Sequence, residues 1–299
     1  MAFLRKKLFM ISIVIPNLNS NIIHLTLDAL RKQSYAMEHA EVLVVGTDEP
    51  NLVKEDQLVR FIPTERPVNP AAARNIGLRQ AKGDPILFTD ADCIPAPDWI
   101  SRMIQYHRTT GARIVGGAVT FKRGNLWTLA DNVAMFRDSL PFTVKEPHRL
   151  LPTLNLGIRR EVFLAIGKMD ESLTCSEDID WIARCQKKGY KLYFEPRARV
   201  CHAPSRTTFK AVMKHWVFTG QYMSEVLVRH QALLKPPFVI KYRWLMFGLA
   251  PAIAAFLAGR IFWSAPRQMY KYLDVIPLIY LAELAWCWGM FKGLPKVQE

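Results

Sequence analysis

Two carboxylates separated by one small residue, Asp90-Ala91-Asp92, follow directly on the apolar run Ile86-Leu87-Phe88. An unbroken run of this kind reads as a central parallel strand covered on both faces. In open α/β sheets the carboxyl ends of such strands open into the ligand crevice, so the acidic pair stands where a ligand is held. Two carboxylates this close repel unless a cation or proton lies between them, and a divalent metal that also grips a diphosphate supplies that charge. Oxygen ligands suit Mg2+ and Mn2+. The plainer alternative is that Asp92 only caps the turn before Pro95.

A second acidic group, Glu177, Asp178 and Asp180, opens a helix in the stretch SEDIDWIARCQKKGY. Acidic residues favour a helix N-terminus through the macrodipole, and Thr174 to Glu177 has the spacing of a capping box. Asp178 and Trp181 are three apart and share a helix face. A carboxylate beside an aromatic floor can hold a sugar and take the proton of its hydroxyl.

The elements that must position these groups alternate along the chain. Leu8 to Ile15 reads as a strand rather than a leader, Ile22 to Gln33 as a helix, and Glu41 to Gly46 as a second strand, which makes a βαβ unit. A shorter strand, Leu58 to Ile62, precedes a helix from Pro70 to about Ala81 with Asn69 as its N-cap. That helix feeds the strand Ile86 to Thr89. Such alternation predicts a doubly wound, mostly parallel sheet with helices on both faces. Beyond Asp92 come a helix from about Pro97 to Thr109, a strand near Arg113 to Val119, and a long stretch to Leu154 containing Trp127, Phe142 and His148. Leu126 to Asp138 supplies a helix within it. A helix follows Glu161, another runs from Glu177 to Lys188, and Lys191 to Phe194 is a strand.

Half of the 299 residues are hydrophobic, so the chain can bury a large core. Forty basic against 26 acidic residues give a formal charge of +14, which favours anionic partners: a phosphorylated ligand, an anionic lipid surface or nucleic acid. Nucleic acid is disfavoured, because no run of five or six Lys/Arg and no RNA- or DNA-binding signature occurs. The five cysteines are odd in number, lack metal-ligand spacing, and read as reduced and facing the cytosol.

The last seventy residues change character. Trp244 to Trp263 carries one charge, Arg260, and Tyr272 to Phe291 is a second apolar stretch containing Asp274 and Glu283. Both are framed by aromatic residues, as membrane-interface segments are. Arg260, Arg267 and Lys271 between them fit a simple hairpin poorly, so shallow insertion is an alternative to spanning. The preceding helix, Thr208 to His230, is amphipathic and suits anionic lipid, and the Trp127 to Phe142 region is a candidate to face the bilayer.

Taken together, ISIVIPNLNS, AAARNIGLRQAKGDPILFTDADC, TLNLGIRREVFLAIGKMDESL, SEDIDWIARCQKKGY and VCHAP resemble the family 2 inverting glycosyltransferases, from about Phe9 to Arg206. The resemblance implies a Rossmann-like GT-A fold and transfer of a sugar from a nucleoside diphosphate donor. It makes Asp90 and Asp92 similar to the motif that binds Mn2+ or Mg2+ with the donor diphosphate, and His202 similar to a late histidine near the metal. Asp178 resembles the catalytic base, beside Glu177, with Trp181 under the acceptor. Pro16 and Asn19 resemble the nucleotide-side loop, and Arg74 with Asn75 the residues lining the donor pocket. A UDP-sugar is the favoured donor.

Two departures stand out. Where relatives carry an acidic pair after the second strand, this chain reads VVGTDEP, so Asp48 would have to read the base from a shifted position, or backbone would. No Q-x-x-R-W follows the acidic helix start, which argues against a processive synthase. The expected organisation is a catalytic domain over 1–230, with a nucleotide half to about 92, an acceptor half to about 206 and an amphipathic helix beyond. Membrane-associated helices then occupy 231–299, and the catalytic domain faces the cytoplasm. The acceptor would be lipid-linked or part of the cell envelope. Alternatives are a non-catalytic membrane-bound scaffold and a sugar nucleotidyltransferase, the latter opposed by the lack of glycine in PNLNS.

Overall fold

The computed structural model describes residues 10–142 and 150–294. His148 lies outside the described residues. Eight strands and twelve α-helices are found among them, in the order β1 (Ile11–Leu18), α1 (Ile23–Arg31), β2 (Ala40–Thr47), β3 (Val59–Pro63), α2 (Pro70–Gln80), β4 (Ile86–Thr89), β5 (Cys93–Pro95), α3 (Trp99–Thr110), β6 (Ile114–Thr120), α4 (Leu126–Met135), β7 (Asn155–Ile158), α5 (Arg160–Ile166), α6 (Glu177–Lys187), β8 (Leu192–His202), α7 (Phe209–Arg229), α8 (Gln231–Leu234), α9 (Arg243–Gly248), α10 (Ala250–Ser264), α11 (Pro266–Met269) and α12 (Ile276–Gly293).

The strands form one sheet in the order β3-β2-β1-β4-β7-β6-β8-β5. Its first half is parallel throughout, as the βαβ alternation requires. In the second half β7 runs antiparallel to both neighbours and β5 antiparallel to β8, while β6 and β8 are parallel. Every residue of β4 is buried, because helices cover both faces. Chain order turns back at β1 and β4, and their carboxyl ends deliver Asn17 to Asn19 and Asp90 to Asp92 to one edge.

Local chemistry sets several boundaries. Asn69 caps α2, its side chain accepting from Ala72 N at 2.9 Å, with Pro70 in the first helical position. Thr174 does not cap α6. Ser176 takes that place in a left-handed conformation with φ 65° and no side-chain cap bond, so the expected capping box is absent. β8 extends to His202, well past Phe194, with an irregularity opposite Gly117 and Ala118.

The C-terminal helices build a second layer. The amphipathic α7 keeps only part of its apolar surface outward: Val212, Trp216 and Gly220 are buried and α12 runs along them, while Phe209 and Phe218 are exposed. α4 is likewise enclosed by α7 and α12, so its apolar side cannot face a bilayer. The stretch Trp244 to Trp263 is two helices rather than one, broken at Leu249 ahead of Pro251.

Candidate active site

A cleft of about 380 Å³ opens at the carboxyl ends of β1 and β4, lined by Pro16, Asn19, Arg74, Asp90 and Asp92 among others. Its floor is fixed from below, since the Ser20 and Thr26 hydroxyls both donate to the Ala91 carbonyl at 3.2 and 3.1 Å and hold the turn between the two aspartates. Asn19 stands at φ 53°, and its side chain accepts from Glu49 N, tying the β1 loop to the loop after β2.

Arg74, almost fully buried on α2, joins the two acidic clusters. One guanidinium nitrogen donates to Asp90 Oδ1 at 2.7 Å and the other to Glu177 Oε1 at 2.6 Å. Burial pushes the Asp90 carboxyl up, Arg74 opposes it, and repulsion from Asp92 leaves it above the ordinary carboxylate range. Asp178, next to Glu177, is only partly exposed; its carboxyl accepts from Ile179 N at 2.8 Å and from Thr153 N at 3.4 Å. Burial, then the charge of Glu177, raise it to about 6 against the pull of Arg74. That value suits a group that takes a proton near neutral pH.

His202 ends β8 beside the cleft, its Nε2 lying 3.5 Å from Asp92 Oδ2. On the other side Nδ1 meets Asn132 Oδ1 at 2.5 Å, and Asn132 Nδ2 faces the His202 carbonyl at 3.4 Å, which sets the direction of the amide. Nδ1 therefore carries the proton, and Nε2 is left to hold either a proton or a metal toward Asp92. Burial would raise Asp92, yet the imidazole and, further off, Arg206 outweigh it and keep the carboxyl below its usual range. Among the described residues no group of three His, Cys, Asp or Glu is placed to hold a metal ion by itself. Two carboxylates and one imidazole nitrogen nonetheless suit Mn2+ or Mg2+ bound jointly with a phosphate ligand.

Residues 12–167 match the family described as Glycosyl transferase family 2. The chain is a family 2 glycosyltransferase. It is 27% identical over 287 residues to glycosyltransferase AglE of Haloferax volcanii, covering 93% of this chain and 91% of that protein. The pre-mycofactocin glycosyltransferase of Mycobacterium tuberculosis is 24% identical over 289 residues, 89% of this chain and 60% of its own length. Among solved structures, a mannosyltransferase of Pyrobaculum calidifontis in complex with GDP-Man and Mn2+ superposes with a TM-score of 0.60 at 16% identity, over 92% of this chain and 86% of that one. S. aureus TarS 1-349 in complex with UDP gives 0.51 at 16% identity, over 94% and 90%. The mixed, mostly parallel sheet of this family 2 enzyme is thus of the GT-A kind.

Of the expected site residues, Asp48, Asn75, Glu177, Asp178, Trp181 and His202 are not among those lining the cleft, and two of these, Trp181 and Asn75, are wholly enclosed. Trp181 is fully buried in the core beneath the sheet, its indole N–H donating to Gly167 O at 2.9 Å, so it offers no floor to an acceptor. Asn75 is also fully buried and does not line the cleft; its amide is spent on Met169 and Glu171, pinning the loop ahead of α6.

The end of β2 is closed to the acidic pair that the family resemblance leads one to expect. Gly46 has φ 136°, and a Cβ there would lie 1.9 Å from the Asn17 carbonyl oxygen, so no carboxylate fits. Asp48 turns one oxygen to Val53 N at 2.7 Å, while its other oxygen is buried without a hydrogen-bond partner. Thr47 Oγ1 and Thr64 Oγ1 are unpartnered too, on residues that follow the paired Gly46 and Pro63. Ser20, Thr26, Asn132 and Thr64 carry no local signal in sequence; strand-end position alone would have flagged Thr64.

Proposed function

We propose that this glycosyltransferase moves a sugar from a UDP-sugar to a hydroxyl of a lipid-linked or cell-envelope acceptor in one inverting displacement. The observation that carries the reading is the Arg74 guanidinium held between Asp90 and Glu177, which couples the cleft carboxylates to the acidic helix start. Asp178 is the base that takes the acceptor proton, and a single attack inverts the anomeric carbon. Burial and, after it, the charge of Glu177 keep the Asp178 carboxyl high enough to accept that proton. Asp90, Asp92 and His202 would hold a Mn2+ or Mg2+ ion, which supplies positive charge opposite the departing diphosphate. Pro16 and Asn19 flank the nucleotide.

The base reading rests on Asp48, Thr47 and Thr64. Their three unpartnered oxygens are shielded from solvent, so a base meets them only where the loop after β2 moves aside, and meeting them relieves the cost of leaving buried polar atoms unpaired. With Val53 already on one Asp48 oxygen, the other is open to a single imide N–H, as in uracil or thymine, rather than to the two-pronged edge of guanine. Residues 1–230 are proposed as the catalytic part, on the cytoplasmic side, and 231–299 as the membrane-associated part.

Binding of UDP, GDP and dTDP with and without Mn2+ tests the donor assignment, together with NMR of the anomeric configuration of the product. Retained configuration would overturn single displacement, and preferential GDP binding would overturn the base assignment.

A further inference from the structure

One helical stretch, Pro266–Gly293, is long and apolar enough to cross a bilayer. Its main part, α12, is nevertheless bound into protein along its length. Cβ atoms added at Gly220 of α7 and at Gly289 and Gly293 of α12 would lie 2.2, 2.1 and 1.9 Å from backbone oxygens of the opposite helix, so the two backbones are in direct contact. Glu283 of α12 is 1% exposed and accepts from Arg137 at 2.8 Å. Crossing by α12 would carry α7 with it. α7 bears Lys210, Lys214, Glu225 and Arg229, and Arg229 and His230 at its end are bonded to Asp180 of α6. Placing those charges in hydrocarbon is prohibitive.

α10 presents the opposite pattern. Ala254, Ala258 and Ile261 form a buried stripe, whereas Phe256, Arg260 and Trp263 form an exposed stripe on the other face. Phe256 is 63% and Trp263 83% exposed, and the adjoining α9 exposes Trp244, Leu245 and Phe247. Large exposed aromatics gathered on two successive helices mark an interaction face. Fifteen residues of helix reach about 22 Å, too short for a bilayer core of about 30 Å. The charge around it has one sign. Lys241, Arg260, Arg267 and Lys271 are exposed, while Asp274 and Glu283, the two acids of 231–294, are each taken by Arg123 and Arg137.

We infer that the exposed face of α9 and α10 lies in one leaflet of an anionic membrane, parallel to its plane, and that α12 does not span. Aromatic side chains enter the acyl boundary while the flanking lysines and arginines meet lipid phosphates. The inference rests on the proposal that the enzyme is membrane-associated and names the segment and geometry responsible.

The test uses the full chain with phosphatidylcholine vesicles containing about one third phosphatidylglycerol, some loaded with trypsin. The expected result is that the wild type floats with the vesicles, that trapped trypsin leaves it intact, and that Phe256→Ser/Trp263→Ser lowers the floated fraction at least tenfold. The variant should keep the wild-type circular dichroism spectrum and its nucleotide binding. Equal flotation of the variant, or cleavage by trapped trypsin, overturns the in-plane face while leaving membrane association standing. Failure of the wild type to float overturns both.

Discussion

Asp90 and Glu177, drawn from opposite halves of the sheet, are bridged by the single guanidinium of Arg74. The triad is buried enough that Arg74 is held charged, its basicity raised by Asp90, Glu177 and Asp178 against the cost of burial. Removing the arginine alone leaves uncompensated carboxylates in low dielectric. Arg74→Met should therefore cost about 3–5 kcal/mol in urea unfolding. Adding Glu177→Gln to that variant should recover part of the loss, and a simple sum of the two effects would deny the coupling.

Asp178 gives the pH dependence a sign. A general base works only when ionised, and this carboxyl is raised to about 6 by burial and by Glu177. Turnover should be flat above neutrality and fall about tenfold per unit once the pH drops well below that value. Initial rates between pH 5 and 8 at saturating donor would read it. In Asp178→Asn transfer should be lost while UDP binding stays within about twofold, as expected of a residue acting only on the acceptor proton.

The boundary between what sequence reveals and what it conceals runs through α6. The Asp90-Ala91-Asp92 placement was legible because an apolar run covered on both faces ends at the ligand edge of the sheet, which favoured a cleft position over a turn cap. Asn69 and Pro70 likewise announced α2 through backbone chemistry that acts locally. Trp181 was misread because helical spacing tells which residues share a face, not which way that face turns. The left-handed Ser176 sets the entry of α6 so that Trp181 drives into the core. The lipid-facing reading of α7 was narrowed for a similar reason: Val212, Trp216 and Gly220 of its stripe are covered by α12, some seventy residues away, and periodicity carries no information about a partner. β5 is three residues long, too short for alternation to be read, and β7, as short as β4, has Gly157 within it and no apolar run like Ile86-Leu87-Phe88 to mark it.

Base recognition should respond to Asp48 and not to Gly46. Losing a charged hydrogen bond to an imide N–H costs about 1.5–3 kcal/mol, so Asp48→Ala should weaken UDP binding by about ten- to a hundredfold in calorimetry. Restoring the acidic residue of relatives as Gly46→Asp should fail to rescue it, because the added Cβ meets the Asn17 carbonyl in a backbone conformation that only glycine adopts readily. A Gly46→Asp/Asp48→Ala protein that folds and binds UDP as well as wild type would refute the shifted-base reading.

Metal dependence should trace to Asp92 and to the imidazole behind it. Chelation is expected to weaken nucleotide binding by at least tenfold, with Mn2+ restoring it in the wild type but not in Asp92→Asn. Asn132→Leu leaves the cleft carboxylates in place and removes both Asn132 contacts to His202, at its Nδ1 and at its carbonyl. The ring then loses the contact that fixes its orientation, so Mn2+ affinity should fall by about ten- to a hundredfold, while UDP binding in the absence of metal is unchanged. Electron paramagnetic resonance of free Mn2+ gives the affinity directly. Equal Mn2+ affinity in the wild type and Asn132→Leu would mean that His202 meets Asp92 as a proton donor only, with the metal held by the carboxylates and the diphosphate.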